Sequence, residues 1–248
     1  MEHLVTGRNP VREALKALRP INKIIIAEDL DGLPLREIID LARKQGIPVT
    51  RARRSYLDKI ASGESHQGVV ALASPVEYAE VEDMLAAADQ NPLLVILDGV
   101  TDPHNLGAIL RTAHAAGARG LIIPRHRAAP LNATVAKASA GAVEYLPVAR
   151  VGNLVQTIKQ LKDRGFWVVG AHMEGQVFWE ASLDGPVALV VGGEGKGLGR
   201  LLRQECDLLV SIPMSGQLGS LNASVAAALL IYEVVRQRGL VANPAGDG

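Results

Sequence analysis

Leu93-Leu94-Val95-Ile96-Leu97-Asp98-Gly99-Val100-Thr101-Asp102-Pro103-His104-Asn105-Leu106-Gly107-Ala108-Ile109-Leu110-Arg111-Thr112-Ala113 sets the architecture of most of this chain. An unbroken apolar run reads as a strand buried on both faces, which is the habit of parallel sheets. After a short turn the period changes, and Leu106, Leu110 and Ala113 fall on one face of a helix. Asn105 is placed to cap that helix. The same alternation continues downstream. Strands are expected at Leu93–Asp98, Gly120–Pro124, Tyr145–Val148, Phe166–His172, Val187–Gly192 and Leu208–Pro213. Helices are expected at Leu106–Ala116, Ala133–Ala140, Leu154–Arg164, Leu198–Glu205 and Ser220–Arg238. The pattern predicts an α/β fold with a largely parallel sheet covered on both faces.

Upstream the alternation shortens. Asn9-Pro10 followed by Val11, Ala14, Leu15 and Leu18 reads as a helix with proline at its first position. An apolar run at Lys23–Ala27, a helix at Leu35–Lys44, a strand at Ile47–Thr50, a short helix capped by Ser55 and a buried strand at Gly68–Ala73 follow. Residues 74–91 carry Glu77, Glu80, Glu82, Asp83 and Asp89 without one base, and Pro75 and Pro92 stand near the ends. The expected organisation is a small α/β domain over 1–73, an acidic linker over 74–91 and a larger α/β domain over 92–242. The tail Asn243–Gly248 is expected to fray.

The zero net charge of the 248 residues hides this division. Residues 1–73 hold 12 basic and 9 acidic side chains, and the chain beyond residue 91 holds 14 and 12. Both domains are mildly basic, which permits a nucleic-acid partner without requiring one. A single cysteine, Cys206, cannot form an internal disulfide, as suits a reducing cytoplasm. Charged residues interrupt the opening segment, and no apolar run is long enough for a membrane span. A cytoplasmic protein is expected.

Two familiar ligand signatures fail. Gly192-Gly193-Glu194-Gly195-Lys196-Gly197-Leu198 lacks the order of a phosphate-binding P-loop. It also follows a late strand and lacks the third glycine of a dinucleotide fingerprint, and Glu194 would oppose a pyrophosphate. A nucleotide-dependent dehydrogenase is therefore disfavoured. The six histidines show no paired ligand spacing, so no metal is expected.

Three elements carry chemistry. On the first helix, Gly107, Ala108 and Ala115 surround Arg111, leaving room for a substrate beside a long cation; a surface arginine on a closely packed helix has the same pattern. In Val190–Leu198, glycines at a strand end let the backbone approach a ligand or adopt positive φ, and Glu194 lies where open α/β sheets place their sites. A tight turn with a charge at a helix start would look alike. Ile212-Pro213-Met214-Ser215-Gly216-Gln217-Leu218-Gly219-Ser220-Leu221-Asn222-Ala223-Ser224 leads from a strand through small residues into an alanine-rich helix. Its backbone N–H groups could hold an adenine or a carboxylate, or Ser220 could simply cap the helix.

Together, in this order, the N-x-L-G-x-x-x-R, G-x-E-x-x-G and I-P-M…S-L-N-x-S-x-A elements resemble the SpoU (TrmH-like) family of the SPOUT methyltransferases, over roughly Leu93–Arg238. Gly7-Arg8-Asn9-Pro10-Val11 and His66-Gln67-Gly68 resemble the substrate-binding domain of a subset of that family, and the resemblance implies methyl transfer to the ribose 2′-OH of a guanosine in 23S rRNA. The resemblance implies a SPOUT α/β-knot catalytic domain, with a C-terminal trefoil knot, behind a small RNA-binding domain. It implies S-adenosylmethionine as cofactor, contacted at Gly192, Ile212 and Leu221. Asn105, Arg111, Glu194, Ser220 and Asn222 fall at active-site positions. Ribosomal RNA and a homodimer through the catalytic domain are the implied partners. A tRNA substrate, or a non-catalytic RNA-binding relative, remains the alternative. The stretch Gly216–Gly219 is variable among relatives.

Overall fold

The computed structural model describes residues 3–86, 90–193, 195, 197–216 and 219–239. Glu194, Gln217, Leu218 and the tail Asn243–Gly248 lie outside the described residues. In chain order the elements are β1 (His3–Thr6), α1 (Arg8–Lys16), β2 (Ile21–Ala27), α2 (Leu33–Lys44), β3 (Val49–Ala52), α3 (Arg54–Ala61) and β4 (Val69–Ala73). There follow α4 (Val81–Leu85), β5 (Leu93–Asp98), α5 (Pro103–Ala115), β6 (Gly120–Pro124), α6 (Ala133–Ala138), β7 (Val148–Val151) and α7 (Leu154–Asp163). The last are β8 (Trp167–Val177), β9 (Val187–Gly192), α8 (Arg200–Glu205), β10 (Leu208–Ser211) and α9 (Ala223–Gln237).

The chain groups into two compact units that do not follow chain order. The first joins residues up to Tyr78 with 102–111 and 129–147. Its mixed sheet has the order β1-β4-β2-β3, with only β2 and β3 parallel. Ile24, Ile26, Val69 and Ala71 form its core with Val11 and Leu15 of α1 and Ile38 of α2. Strand β1 was not expected; its four residues are too few to show a period. Gly7, at φ 100°, turns β1 into α1 and donates to the Val69 carbonyl. The Arg8 N–H donates to Gln67 Oε1, and buried His66 accepts the Gly68 N–H at Nδ1. The two N-terminal motifs thus interlock to fix the crossing of β1 and β4.

Segment 129–147 joins this unit through buried polar contacts. Arg19 Nη1 pairs with Glu144 at 2.7 Å, with side chains 7% and 5% exposed. Burial pushes the Glu144 carboxyl up, and Arg19 opposes the shift. Thr6 and Thr134 both donate to Glu64. The Tyr145 hydroxyl donates to Glu13 at 2.9 Å. Helices α5 and α6 touch at Gly107, where an added Cβ would overlap that of Ala138.

The second unit takes residues 79–101, 112–128 and everything from Val148 onward. Six strands in the order β10-β8-β9-β5-β6-β7 are all parallel. Leu94, Ile96, Ile122, Val168, Ala188 and Val190 fill the core against Leu154, Ile158 and Leu161 of α7. The first strand of this sheet has the expected bounds. Its third in sequence does not: β7 begins at Val148, after a 3-10 turn at Ala142–Glu144. Pro147 explains the delay, since it has no N–H to pair and restrains the residue before it. In the acidic segment 74–91, the Ala79 N–H donates to the Val148 carbonyl, and Met84 of α4 fills the space over Gly120.

Candidate functional site

A cavity of about 410 Å³ opens at the C-terminal ends of β8, β9 and β10. Open α/β sheets place ligands at this edge, and the volume suits a small molecule. Gly192, Ile212, Ser220 and Leu221, four of the residues singled out in the sequence, line it. The close approach at Gly192 is backbone on backbone: a Cβ there would overlap the Gly197 carbonyl carbon. Gly193 is equally confined, by the carbonyl of Gly99. The wall is therefore peptide groups and small side chains, with Val191, Ile212 and Leu221 supplying apolar contact. None of the described lining residues is Lys, Arg, Asp or Glu. Such a surface fits an adenosyl group held by backbone hydrogen bonds. His172 also lines the cavity; its Nε2 lies 2.9 Å from Arg203 Nη1 and accepts, because a guanidinium only donates.

The next residue, Asn222, is exposed and caps α9. Its Oδ1 accepts from the Ser224 N–H (2.9 Å), the Ser224 hydroxyl (2.6 Å) and the Val225 N–H (3.4 Å). This corrects the expectation that Ser220 starts the helix. Asn105 is corrected likewise. Asp102 caps α5, with Oδ1 accepting the His104 N–H at 3.0 Å, and Asn105 is buried inside the first turn. Arg111 is exposed on α5. Gly107 beside it serves the contact with α6, so helix packing explains part of its small surroundings. Asn105 and Arg111 belong to the first unit; the cavity residues belong to the second.

Sequence reasoning missed Asp98. It is 5% exposed at the end of β5, and it holds both ends of the glycine-rich loop. Its carbonyl accepts the Gly193 N–H at 2.7 Å, and Oδ2 accepts the Gly199 N–H at 3.0 Å. The available signal was a lone carboxylate closing an apolar strand, where burial without a task is costly.

Among the described residues, no cluster of three or more His, Cys, Asp or Glu could hold a metal ion. No helix among them is long and apolar enough to cross a membrane.

Residues 92–232 match the SpoU rRNA Methylase family, and residues 4–79 match the family of RNA 2′-O ribose methyltransferase substrate-binding domains. The chain is 48% identical to YacO of Bacillus subtilis, named as a TrmH family tRNA/rRNA methyltransferase, over 98% of this chain and 97% of that protein. It belongs to the SpoU family. This SpoU protein is an RNA 2′-O-ribose methyltransferase acting on tRNA or rRNA, and its methyl donor is S-adenosylmethionine. The AdoMet-bound rRNA methyltransferase of Sinorhizobium meliloti aligns with a TM-score of 0.81 at 27% identity, covering 97% of this chain and 88% of that one. The Aquifex aeolicus (A. aeolicus) TrmH/SpoU tRNA-modifying enzyme aligns at 0.55 and 34% identity, covering 60% of this chain and 77% of its own.

Proposed function

We propose that this SpoU enzyme methylates the ribose 2′-OH of a guanosine in 23S rRNA, the RlmB type of activity, in the cytoplasm. The observation that carries the choice of rRNA is length of likeness. The Sinorhizobium meliloti relative, named for rRNA, aligns over 97% of the chain, whereas the A. aeolicus tRNA-modifying enzyme aligns over 60%. YacO, named for both RNAs, covers 98% and does not divide them. The match of residues 92–232 to the SpoU rRNA Methylase family supports the same choice.

In this reading Gly192, Ile212 and Leu221 bind the cofactor, and Asn105, Arg111, Glu194, Ser220 and Asn222 form the active site. Bound S-adenosylmethionine supplies a methyl group on a positively charged sulfonium. Arg111 acts as an electrostatic clamp on phosphate and on the negative charge growing at the 2′-oxygen, whose proton passes to solvent. A guanidinium only donates hydrogen bonds and offers no acceptor for the proton, so it is unsuited to be a base. Asn222 spends its carbonyl on the α9 cap, so any hydrogen bond it gives the ribose comes from its amide NH₂. Glu194 and Asn222 orient Arg111 and the ribose. The C-terminal segment forms the trefoil knot of the SPOUT fold, and the working form is a homodimer through the catalytic domain. Support for the dimer comes from α9, where Val225, Leu229 and Tyr232 form an apolar stripe exposed by 47%, 41% and 49%.

The test offers labelled S-adenosylmethionine with unmodified 23S rRNA and, separately, with a tRNA pool. Label in 23S rRNA alone is expected. Label in tRNA alone would make the tRNA alternative correct; no label in either would favour a non-catalytic RNA-binding protein.

A further inference from the structure

The edge of the parallel sheet that carries the cofactor cavity also carries a basic loop. Strand β6 runs straight into Arg125-His126-Arg127, and residues 119–131 contain three arginines and no acid. The Arg125 N–H donates to the Val151 carbonyl at the end of β7 (2.8 Å), and Arg150 Nη2 donates to the Arg125 carbonyl (2.7 Å). The loop is therefore fixed on two strand ends. Arg127 adopts a left-handed backbone, φ 60°, which few side chains other than glycine favour. Its side chain is 76% exposed, and Nη2 lies 3.5 Å from Asp98 Oδ1. That oxygen accepts no hydrogen bond among the described residues. Asp98 is buried beneath, so it aims the guanidinium while leaving its outer edge to solvent.

We infer that the loop Arg125–Arg127 grips the phosphate backbone of the substrate RNA, with Arg127 as the principal contact and Asp98 as its positioning residue. This rests on the reading of the chain as an RNA methyltransferase. Strands of a sheet stand about 4.8 Å apart, so the end of β6 lies about 10 Å from that of β9 in the order β9-β5-β6. A nucleotide bound over the cavity would bring a neighbouring phosphate over the loop. Guanidinium offers phosphate a two-pronged match, and Asp98, the carboxylate beside Arg127, is buried.

The test compares wild type with an Arg125→Ala/Arg127→Ala variant in filter binding of in vitro-transcribed 23S rRNA across a salt series. Affinity at physiological salt should fall tenfold or more. The slope of log K against log salt should become shallower by about 1.4, at ~0.7 per phosphate contact on single strands. The KM for RNA should rise more than kcat falls, with cofactor affinity unchanged in calorimetry. Unchanged RNA affinity and slope in a variant that melts normally would overturn the assignment. Should the double variant not fold, Arg127→Lys should keep the slope and lose several-fold in affinity; no loss would overturn it too. Polyglutamate bound as tightly as RNA at matched salt would mark a protein-docking surface instead. A wild type that neither binds nor methylates RNA would sink the enzyme reading itself, a result distinct from these.

Discussion

Arg111 carries the proposed chemistry of this chain, and its surroundings were only half legible. The motif that contains it was plain from Asn105 to Ala113, and the structure leaves Arg111 exposed as expected. The small residue one turn before it has another task, since Gly107 admits Ala138. A sequence shows that a residue is small but not what occupies the space. Arg111→Ala should lower methylation at least about a hundredfold, the scale of losing one charge-stabilising donor, with melting temperature and cofactor affinity preserved. Normal activity in a folded variant would remove Arg111 from the mechanism. Gly192 is the converse case: the motif implied approach to a ligand or a positive φ, and the glycine is required by backbone packing against Gly197. Gly192→Val should weaken S-adenosylmethionine binding in calorimetry by tenfold or more, since the side chain collides with Gly197. Equal affinity would clear this loop of contact with the cofactor. Cys206 gives a pH test. Burial first, then Asp207, pushes its thiol up to about 11, so less thiolate forms in the folded state at any pH below that value. Iodoacetamide at pH 8 should modify it far more slowly in native than in unfolded protein; equal rates would refute its burial.

At the level of elements, the strands were read better than the helix ends. The runs Leu93–Asp98, Gly120–Pro124 and Val187–Gly192 are apolar apart from the closing Asp98 and have the expected bounds, because burial on both faces leaves them no alternating polar positions. Helix starts were misplaced where several capping side chains crowd together. Asp102 and Asn105 competed for α5, and Ser220 and Asn222 for α9; the winners are those whose side chains reach the N–H groups at the second and third helical positions. Asp102→Ala should cost about 1 kcal/mol of stability in denaturant unfolding. No change would mean that Asp102 is not the effective cap. The loop between β9 and α8 depends on Asp98 in a way that neither motif revealed. Asp98→Ala frees the Gly199 N–H and should weaken cofactor binding more than it lowers the melting temperature of the sheet. An unaltered cofactor affinity would confine Asp98 to a role in the fold.

For the molecule as a whole, the larger surprise is which segments fold together. Chain order implied a first domain ending near residue 73, yet 102–111 and 129–147 pack with it. No local pattern encodes that grouping, because it rests on pairs far apart in sequence, such as Arg19 with Glu144 and Glu13 with Tyr145. Removing residues 1–73 would therefore strip a buried carboxylate of its partner, which makes such a deletion an unsafe probe of RNA binding. Arg53 is a cleaner target. Its neighbours Arg51 and Arg54 already pair with Asp31 and Asp29. The proposed dimer is tested by Leu229→Asp on α9. Light scattering should show twice the chain mass for wild type and one chain for the variant; a monomeric wild type at micromolar concentration would leave the apolar stripe without its proposed partner.

The central claim is transfer to a ribose oxygen of guanosine in 23S rRNA, and the most direct measurement is the identity of the methylated nucleotide. Unmodified 23S rRNA treated with enzyme and S-adenosylmethionine would be digested with alkali and analysed by mass spectrometry. A blocked 2′-hydroxyl prevents cleavage of its own 3′ phosphodiester, so the account predicts one alkali-resistant dinucleotide whose 5′ member is 2′-O-methylguanosine. A methyl group on a base, or on no 23S nucleotide at all, would contradict it.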